Sequence, residues 1–248
     1  MKSERRKSPI DTSRVEPHMC SLEVRLEILG QVPFFAGLEA RALEAVNQRF
    51  VERGYLPGEI IYFAGDPAER LYVVADGRVK LLRHTPAGKD VLLDMLSPGD
   101  FFGSLSSLGE NLYAGTAQAH TAACVLSVEA EDFRAILEEN PGITLKVLDI
   151  VSSRLEAAHE MVRQLSAYSA EQRVAYALLM LSKKLGRPDE VGLLIQTPLS
   201  RDDLAQMTGT TTETASRVLS QFQKDGLIES GRQWVAIKDP EGLQAITG

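Results

Sequence analysis

The chain has 248 residues, of which 44% are hydrophobic and 25% charged, and its formal net charge is −7. That length suffices for two domains with their own cores, and the composition is that of an ordinary globular protein. There is no run of about 18 apolar residues, and the charged N-terminus lacks the apolar core of a signal peptide. We therefore expect a cytoplasmic protein with no membrane partner.

The net negative charge gives no support to a nucleic-acid partner, but it is unevenly distributed. Residues 168–248 contain 9 Lys/Arg and 10 Asp/Glu, so this part of the chain is close to neutral. A DNA-binding domain must therefore be argued from its motif rather than from composition. The two cysteines are too few for a disulfide framework, which again favours the cytoplasm.

The first half of the chain predicts a flexible arm followed by a β-roll. Residues 1–25 are expected to form the slightly basic arm, and residues 26–47 have helical apolar spacing with a break at residues 32–37. Short apolar runs separated by glycines and prolines then follow, at residues 60–63, 71–74, 79–82 and 91–96. This spacing predicts a small antiparallel roll or barrel, with turns at residues 86–88 and 97–100. We assign residues 26–138 to this sensor-like domain.

After Asp132 the apolar period becomes helical. A stripe with alternating spacings of 3 and 4 is formed by Leu148, Val151, Leu155, Ala158, Val162 and Leu165. A long helix packed on its own roll would explain part of this stripe. Its regularity, directly before the C-terminal motif, favours a two-stranded seam, so we predict that residues 139–167 form a dimerisation helix.

Residues 168–248 predict a winged helix–turn–helix domain. A helix is expected from Ala170 to Gly186, then a loop at residues 186–189 and a strand at residues 192–197. Residues 200–219 read as two helices joined at Gly209, which can take the positive φ that a tight turn needs. Residues 226–237 read as two strands with a turn at residues 230–231, which is the pattern of a wing. This arrangement lays its second helix in the DNA major groove.

In this order the parts resemble the superfamily of bacterial transcription factors that contains the cAMP receptor protein and the fumarate–nitrate reductase regulator. The likeness begins at about Leu26 and includes the glycine pattern of the roll, at Gly58, Gly65, Gly77, Gly99 and Gly103. It implies an α+β fold with a cyclic-nucleotide-binding-like roll, a dimerisation helix and a C-terminal winged helix–turn–helix. It also implies a homodimer that binds double-stranded promoter DNA and activates by contacting RNA polymerase.

The second helix of the motif, Glu213-Thr-Ala-Ser-Arg217, is similar to the fumarate–nitrate reductase regulator branch, which reads two inverted TTGAT half-sites. Glu213 can accept from the cytosine amino group, Arg217 can contact guanine O6 and N7, and Ser216 can approach thymine or a phosphate. Phosphate contacts are expected from Ser200, Arg201, Thr211, Thr214 and Lys224.

Each reading residue also has a structural interpretation. Glu213 can close a capping box with Thr210, which is compatible with a base contact because the first helical turn faces the groove. Arg217 can instead bind a phosphate or form a salt bridge, Ser216 can be a packing residue, and Lys224 can be a solvated lysine.

The nucleotide-binding residues of the cAMP branch are replaced in this chain. That branch holds the cyclic phosphate with Gly-Glu-Leu and Arg-Ser, because an anion needs the arginine charge. In the matching residues 103–116, Ser104 replaces the glutamate and Ala114-Gly115 replace Arg-Ser. Ala158-His159 replace the Thr-Ser pair that contacts adenine. We expect no dependence on cAMP.

Several sensors remain open. An iron–sulfur cluster normally needs four thiolates, and this chain has only Cys20 and Cys124, so we expect no such cluster. These two cysteines could form a thiol–disulfide switch or be unrelated thiols. The other open alternatives are haem bound through His159, His120 or His84, a different small ligand, and activity without any effector.

The competing functions are an enzyme and a ligand-binding module without DNA function. No paired carboxylates, phosphate loop or metal-ligand spacing stands out, so we expect neither an enzyme nor a metal site. The intact helix–turn–helix and wing argue against a module without DNA function.

Overall fold

The computed structural model of the chain describes residues 20–86, 88–104 and 112–247. They form two compact units, one made of the described residues up to Ala157 and the other of those from Ala158 onward. Helices and antiparallel sheets alternate along the chain, which confirms the predicted α+β class. Within the described residues, no helix is long and apolar enough to cross a membrane.

Two short helices precede the roll, α1 (Leu22–Gln31) and α2 (Ala40–Asn47). Residues 1–19 of the predicted arm lie outside the described residues. The arm prediction was wrong for residues 22–25, because the Ser21 hydroxyl accepts from the Val24 amide and starts α1 there. Arg25 then fastens α1 to the end of α2 by donating to the carbonyl oxygens of Asn47 and Phe50, at 3.1 and 2.6 Å.

The roll is built from eight strands among the described residues. They are β1 (Val51–Tyr55), β2 (Ile60–Tyr62), β3 (Arg70–Asp76), β4 (Val79–His84), β5 (Asp90–Leu96), β6 (Phe101–Gly103), β7 (Thr116–Ala119) and β8 (Ala123–Glu129). They form two antiparallel sheets, in the orders β1-β8-β3-β6 and β2-β7-β4-β5. The predicted turn at residues 97–100 is present, since the Asp100 amide donates to the Ser97 carbonyl at 2.9 Å.

A phenylalanine-rich core joins α1 and α2 to the roll. The ring of Phe34 packs edge-on against Phe35, Phe101 and Phe133, with centroids 4.6, 4.8 and 5.7 Å apart. The same buried cluster includes Cys20, Cys124 and Ile143. Edge-to-face aromatic pairs of this kind stabilise a core beyond the area that they bury.

Two helices follow the roll, α3 (Ala130–Glu139) and the 27-residue α4 (Pro141–Ala167). One face of α4 is internal near its start, where Ile143, Val147 and Ile150 pack into the phenylalanine-rich core. The side chains of the predicted seam lie on another face of the same helix. Because α4 runs through Ala157, it belongs to both compact units.

The second unit continues with eight elements. They are α5 (Ala170–Leu185), β9 (Gly186–Asp189), β10 (Gly192–Ile195), α6 (Arg201–Thr208), α7 (Thr212–Lys224), β11 (Ile228–Gly231), β12 (Trp234–Ile237) and α8 (Pro240–Thr247). The strands form one sheet in the order β11-β12-β10-β9. The helix–turn–helix and the wing are therefore present where the sequence predicted them.

Three details of this unit differ from the prediction. The expected loop at residues 186–189 is strand β9, which tolerates Pro188 because it lies at the sheet edge. The wing turn lies at Arg232 and Gln233 rather than at residues 230–231, which pair with Val235 and Trp234. Helix α8 had no counterpart in the prediction, because its eight residues are too short for a clear apolar period.

Candidate nucleic-acid interface

The turn between α6 and α7 has the geometry that a DNA-reading motif requires. Gly209 ends α6 in the left-handed region, with φ 59° and ψ 39°. The start of α6 is fixed by a capping box, in which the Ser200 hydroxyl accepts from the Asp203 amide at 3.0 Å and the Ser200 amide donates to the Asp203 carboxylate at 2.9 Å. Leu204 and Ala215 are buried between the two helices, so one side of α7 remains for contacts outside the unit.

Helix α7 begins one residue later than the proposed capping box would require. Thr211 is the cap, because its hydroxyl oxygen accepts from the Thr214 amide at 3.1 Å. The capping box of Thr210 with Glu213 was therefore wrong. Glu213 is the second residue of the helix, and its carboxylate is exposed. An acidic residue here also interacts favourably with the positive end of the helix dipole.

The proposed base-reading residues lie on one face of α7. Glu213, Ser216 and Arg217 are separated by three and four positions, and Ser220 continues the series. Glu213 and Arg217 are exposed and Ser216 is half-buried. Among the described residues, neither charged side chain has a hydrogen-bond or ion-pair partner, so both can reach a base edge.

The proposed phosphate contacts lie in three kinds of environment. Ser200 and Thr211 are helix caps, and the Thr211 hydroxyl also donates to Thr214 Oγ1 at 2.9 Å. Lys224 is exposed in the last turn of α7. Arg201 is half-buried and donates to the Ser230 hydroxyl at 3.0 Å. Burial lowers the pKa of the Arg201 guanidinium, although an arginine remains charged.

The wing is tied to the start of α6 and carries a cation that the sequence prediction missed. The Leu199 amide donates to the Gln233 carbonyl at 3.0 Å. Gln233 has φ 63° at the wing turn, next to the exposed Arg232. The sequence prediction placed the turn at Ser230-Gly231 because glycine is common in turns. In the structure, a glycine is needed at position 231 for another reason, since an added Cβ would lie 2.2 Å from Nε1 of the Trp234 indole.

The seam residues of α4 are exposed in the single chain. The exposed fractions are 64% for Leu148, 57% for Leu155 and 62% for Val162. Val151, Ala158 and Leu165 are also exposed on this helix. A contiguous apolar stripe of this length is unusual on a monomeric protein and is typical of an association surface.

The fold brings Cys20 and Cys124 together. Their Sγ atoms lie 2.6 Å apart across 104 residues, which is about 0.6 Å longer than a disulfide bond. Cys20 directly precedes the cap of α1, and Cys124 lies in β8. Both are buried, and burial raises the pKa of the Cys20 thiol and raises the pKa of Cys124 to about 12.

Aromatic rings fill part of the roll interior. Tyr62 stacks on Tyr113 with centroids 3.7 Å apart, and Tyr72 stacks on Phe102 at 5.1 Å. The Tyr113 hydroxyl accepts from the Arg70 amide at 3.1 Å. Burial raises the pKa of Tyr62 and Tyr72, so these phenols are neutral. They supply no positive charge for a phosphate.

The residues matched to the phosphate cassette are only partly described, since residues 105–111 lie outside the described part. Ala114 is exposed, and a Cβ on Gly115 would lie 2.7 Å from the Leu82 carbonyl oxygen.

The three histidines considered for haem occupy different settings. The Nδ1 atom of His84 contacts the Asp90 carboxylate at the end of β4, and His159 is exposed on α4. His120 is half-buried, and its amide donates to the Arg78 carbonyl at 2.8 Å. Within the described residues, no group of three or more His, Cys, Asp or Glu side chains could hold a metal ion.

Comparison with protein families gives two matches. Residues 52–140 match the model of the cyclic nucleotide-binding domain, and residues 172–246 match that of the Crp-like helix-turn-helix domain. These ranges coincide with the roll and with the unit that carries α6, α7 and the wing.

Individual relatives cover most of the chain. The cyclic AMP receptor protein of Thermus thermophilus is 32% identical over 86% of this chain and 96% of its own length. The CRP-like cAMP-activated global transcriptional regulator of Mycobacterium tuberculosis is 28% identical over 88% of this chain and 97% of its own. The solved structure of FixK2 from Bradyrhizobium japonicum superposes with a TM-score of 0.71 at 25% identity, covering 80% of this chain and 98% of that one.

Proposed function

The chain belongs to the superfamily of DNA-binding transcription regulators that contains the cAMP receptor protein and the fumarate–nitrate reductase regulator, and we propose that it acts as a homodimer on an inverted TTGAT-N4-ATCAA site. The superfamily consists of regulators rather than enzymes. The homodimer works on promoter DNA in the cytoplasm and activates transcription by contacting RNA polymerase.

The observation that carries this proposal is the face of α7 formed by Glu213, Ser216 and Arg217. A carboxylate acceptor and a guanidinium fork stand four positions apart on an exposed helix face, and each is free to pair with a base edge. The guanidinium matches guanine O6 and N7, and the carboxylate matches the cytosine amino group. One G·C pair in each TTGAT half-site offers both partners.

Dimerisation along the exposed stripe on α4 would explain why the proposed DNA site is an inverted repeat. Two copies joined along Leu148, Leu155 and Val162 would be related by a two-fold axis, so their α7 helices would meet inverted half-sites. Half-sites about one helical turn apart suit a dimer of this kind.

Selection from a random duplex library tests the proposed site without presupposing it. Wild-type protein should enrich two inverted TTGAT elements separated by four base pairs. The Arg217→Ala variant is put through the same selection as the matched control, and it should lose the preference for guanine in each element. Enrichment of an unrelated motif by the wild type would contradict the proposal.

We propose further that the regulator acts without cAMP. Ala114-Gly115 stand where the cAMP branch has Arg-Ser, and the stack of Tyr62 on Tyr113 occupies part of the roll interior. An anionic nucleotide would need a cation in this environment. Calorimetric titration with cAMP should give no binding heat, and DNA affinity should be the same with and without it. Saturable binding that raises DNA affinity would contradict this part of the proposal, because two relatives are named for cAMP.

A second candidate function is a thiol–disulfide switch, which the 2.6 Å contact between Cys20 and Cys124 favours. With a hydroperoxide as oxidant, one thiolate attacks the O–O bond to give a sulfenic acid and one molecule of water or alcohol. The second sulfur then displaces the hydroxyl group, which leaves as water, and the S–S bond forms. Two electrons pass from the sulfurs to the peroxide, and both thiol protons end in the products.

The switch would reach the dimerisation helix through a shared core. Cys20 and Cys124 belong to the same buried cluster as Ile143, in the first turn of α4. A covalent bond between the two sulfurs constrains this closely packed cluster, which includes the start of α4. DNA affinity should therefore differ between protein treated with hydroperoxide and protein treated with reductant. A Cys20→Ser variant should lose this difference, and equal affinity of oxidised and reduced wild type would reject the switch.

A further inference from the structure

The corner between the dimerisation helix and the DNA-binding helices is short and heavily bonded. Only Tyr168 and Ser169 separate α4 from α5. The Ser169 hydroxyl accepts from the Gln172 amide at 3.2 Å, and the Ser169 amide donates to the Gln172 side chain at 2.9 Å. Arg163 donates to the Tyr168 hydroxyl at 2.8 Å. These contacts fix the direction in which α5 leaves α4.

One side chain of α5 joins this corner to the helix–turn–helix. Arg173 Nε donates to the Thr208 carbonyl at 2.7 Å, and its Nη1 donates to the Tyr168 carbonyl at 2.8 Å. Tyr168 follows the last residue of α4, and Thr208 is the last residue of α6. Both acceptors lie at the negative ends of helices, where a cation is favourable.

A packing contact supports the same connection. A Cβ on Gly209 would lie 3.2 Å from Leu165 Cδ2, so the turn between α6 and α7 lies against the end of the proposed seam. Leu165 thus belongs to the exposed stripe of α4 and also lies next to Gly209 in the helix–turn–helix. The half-buried Arg173 binds the carbonyl of Thr208, which directly precedes Gly209.

We infer that Arg173 is a positioning residue that holds the helix–turn–helix against the end of α4 and thereby sets the distance between the two recognition helices of the dimer. This inference rests on the proposed function, since it needs two copies joined along α4. Arginine suits the role because its planar fork can serve two carbonyl oxygens in a fixed geometry, which the single ammonium of lysine does not reproduce.

Arg173 should affect binding to two half-sites but not binding to one. Without the Arg173 bridge, each α7 keeps its exposed face and binds a single half-site as before. The two DNA-binding units of the dimer are then no longer held at one separation. The gain in affinity from binding both half-sites therefore falls, and it depends less on the length of the spacer between them.

The experiment measures affinity for duplexes with two inverted TTGAT elements separated by two to six base pairs, and for a duplex with one element. Wild type, Arg173→Lys and Arg173→Gln are compared, with Arg134→Gln as a matched control. Arg134 is an exposed arginine of α3 that pairs with Glu138, so its replacement makes the same charge change away from the corner. Circular dichroism and Tm check that each variant folds.

Wild type and the control should prefer the four-base-pair spacer. Both Arg173 variants should lose about tenfold in affinity at that spacer and show a flatter spacer profile, while single-element affinity stays unchanged. Equal losses on every duplex, including the single element, would reduce Arg173 to a stability role and overturn the inference. A variant with the wild-type spacer profile would overturn it as well. If wild type itself showed no spacer preference, the proposed function would fail together with the inference.

Discussion

The Sγ atoms of Cys20 and Cys124 lie 2.6 Å apart, although 104 residues separate the two cysteines along the chain. They are the only cysteines in the sequence, so any intramolecular disulfide must join them. Their burial protects them from water and also slows their chemistry, because the thiolate is the reacting form.

Disulfide formation by hydroperoxide should therefore accelerate with pH. Burial raises the pKa of Cys20 above its ordinary range and raises the pKa of Cys124 to about 12. Below those values the thiolate fraction grows about tenfold per pH unit. The rate of disulfide formation, followed by alkylation and mass spectrometry, should therefore rise about 100-fold between pH 7.5 and 9.5.

A small free thiol is the control for this measurement, because its rate should level off near its own pKa of about 8.5. A rate in the protein that is flat over the same pH range would contradict the assignment of raised thiol pKa values.

Leu155→Glu should convert the proposed dimer to monomers. Leu155 is 57% exposed in the single chain, so the substitution leaves the fold of each copy intact. In the dimer it would place two carboxylates at the centre of an apolar seam, where an unpaired charge is strongly disfavoured. The dimer dissociation constant from sedimentation equilibrium should rise by at least about 100-fold.

The matched control is Met180→Glu, because Met180 is 50% exposed on α5 and lies outside the seam. It should sediment as wild type does. If the Leu155→Glu variant formed dimers with the wild-type dissociation constant, the association surface would have to lie elsewhere on the chain.

Arg217→Ala should cost about 1–3 kcal/mol on the TTGAT site, which is the usual value of a bidentate base contact. The loss should nearly vanish on a duplex in which the guanine of each half-site is replaced, since the wild type cannot make the contact there. Lys224→Ala is the comparison, because an exposed lysine at a phosphate weakens binding to all sequences and lowers the salt dependence. Equal losses for Arg217→Ala on both duplexes would make Arg217 a phosphate contact.

Gly209→Ala should destabilise the DNA-binding unit by about 1–2 kcal/mol, because Gly209 has φ 59° and an alanine is strained in that region. Trp234 is the only tryptophan of the chain and lies in this unit, so its fluorescence reports the unfolding directly. Gly209→Asn is the control, since asparagine tolerates the left-handed region and should lose less. Equal stability of Gly209→Ala and wild type in urea would contradict the strained turn.

The sequence predicted the features that depend on local pattern. The stripe from Leu148 to Leu165 repeats within a few turns of one helix, and the turn at Gly209 requires a residue type that tolerates positive φ. The face of α7 that carries Glu213 and Arg217 follows from helical spacing alone.

Other features depend on contacts that a local pattern does not contain. Ser230-Gly231 is a strong turn signal, yet Gly231 is required by the indole of Trp234, and the turn lies two residues later. Three consecutive threonines can each cap a helix, and only the structure shows that Thr211 is the one whose hydroxyl accepts from the Thr214 amide. The bridge from Arg173 to Thr208 joins residues 35 positions apart and had no sequence signal.

The proposed function is that a dimer of this chain reads an inverted TTGAT repeat through α7. Its most direct test is a titration of fluorescent duplexes at physiological salt, comparing TTGAT-N4-ATCAA with a scrambled duplex of the same composition. We expect a preference of at least about 1,000-fold for the inverted site and the binding of two chains per duplex. Equal affinity for the two duplexes, or one chain per duplex, would contradict it.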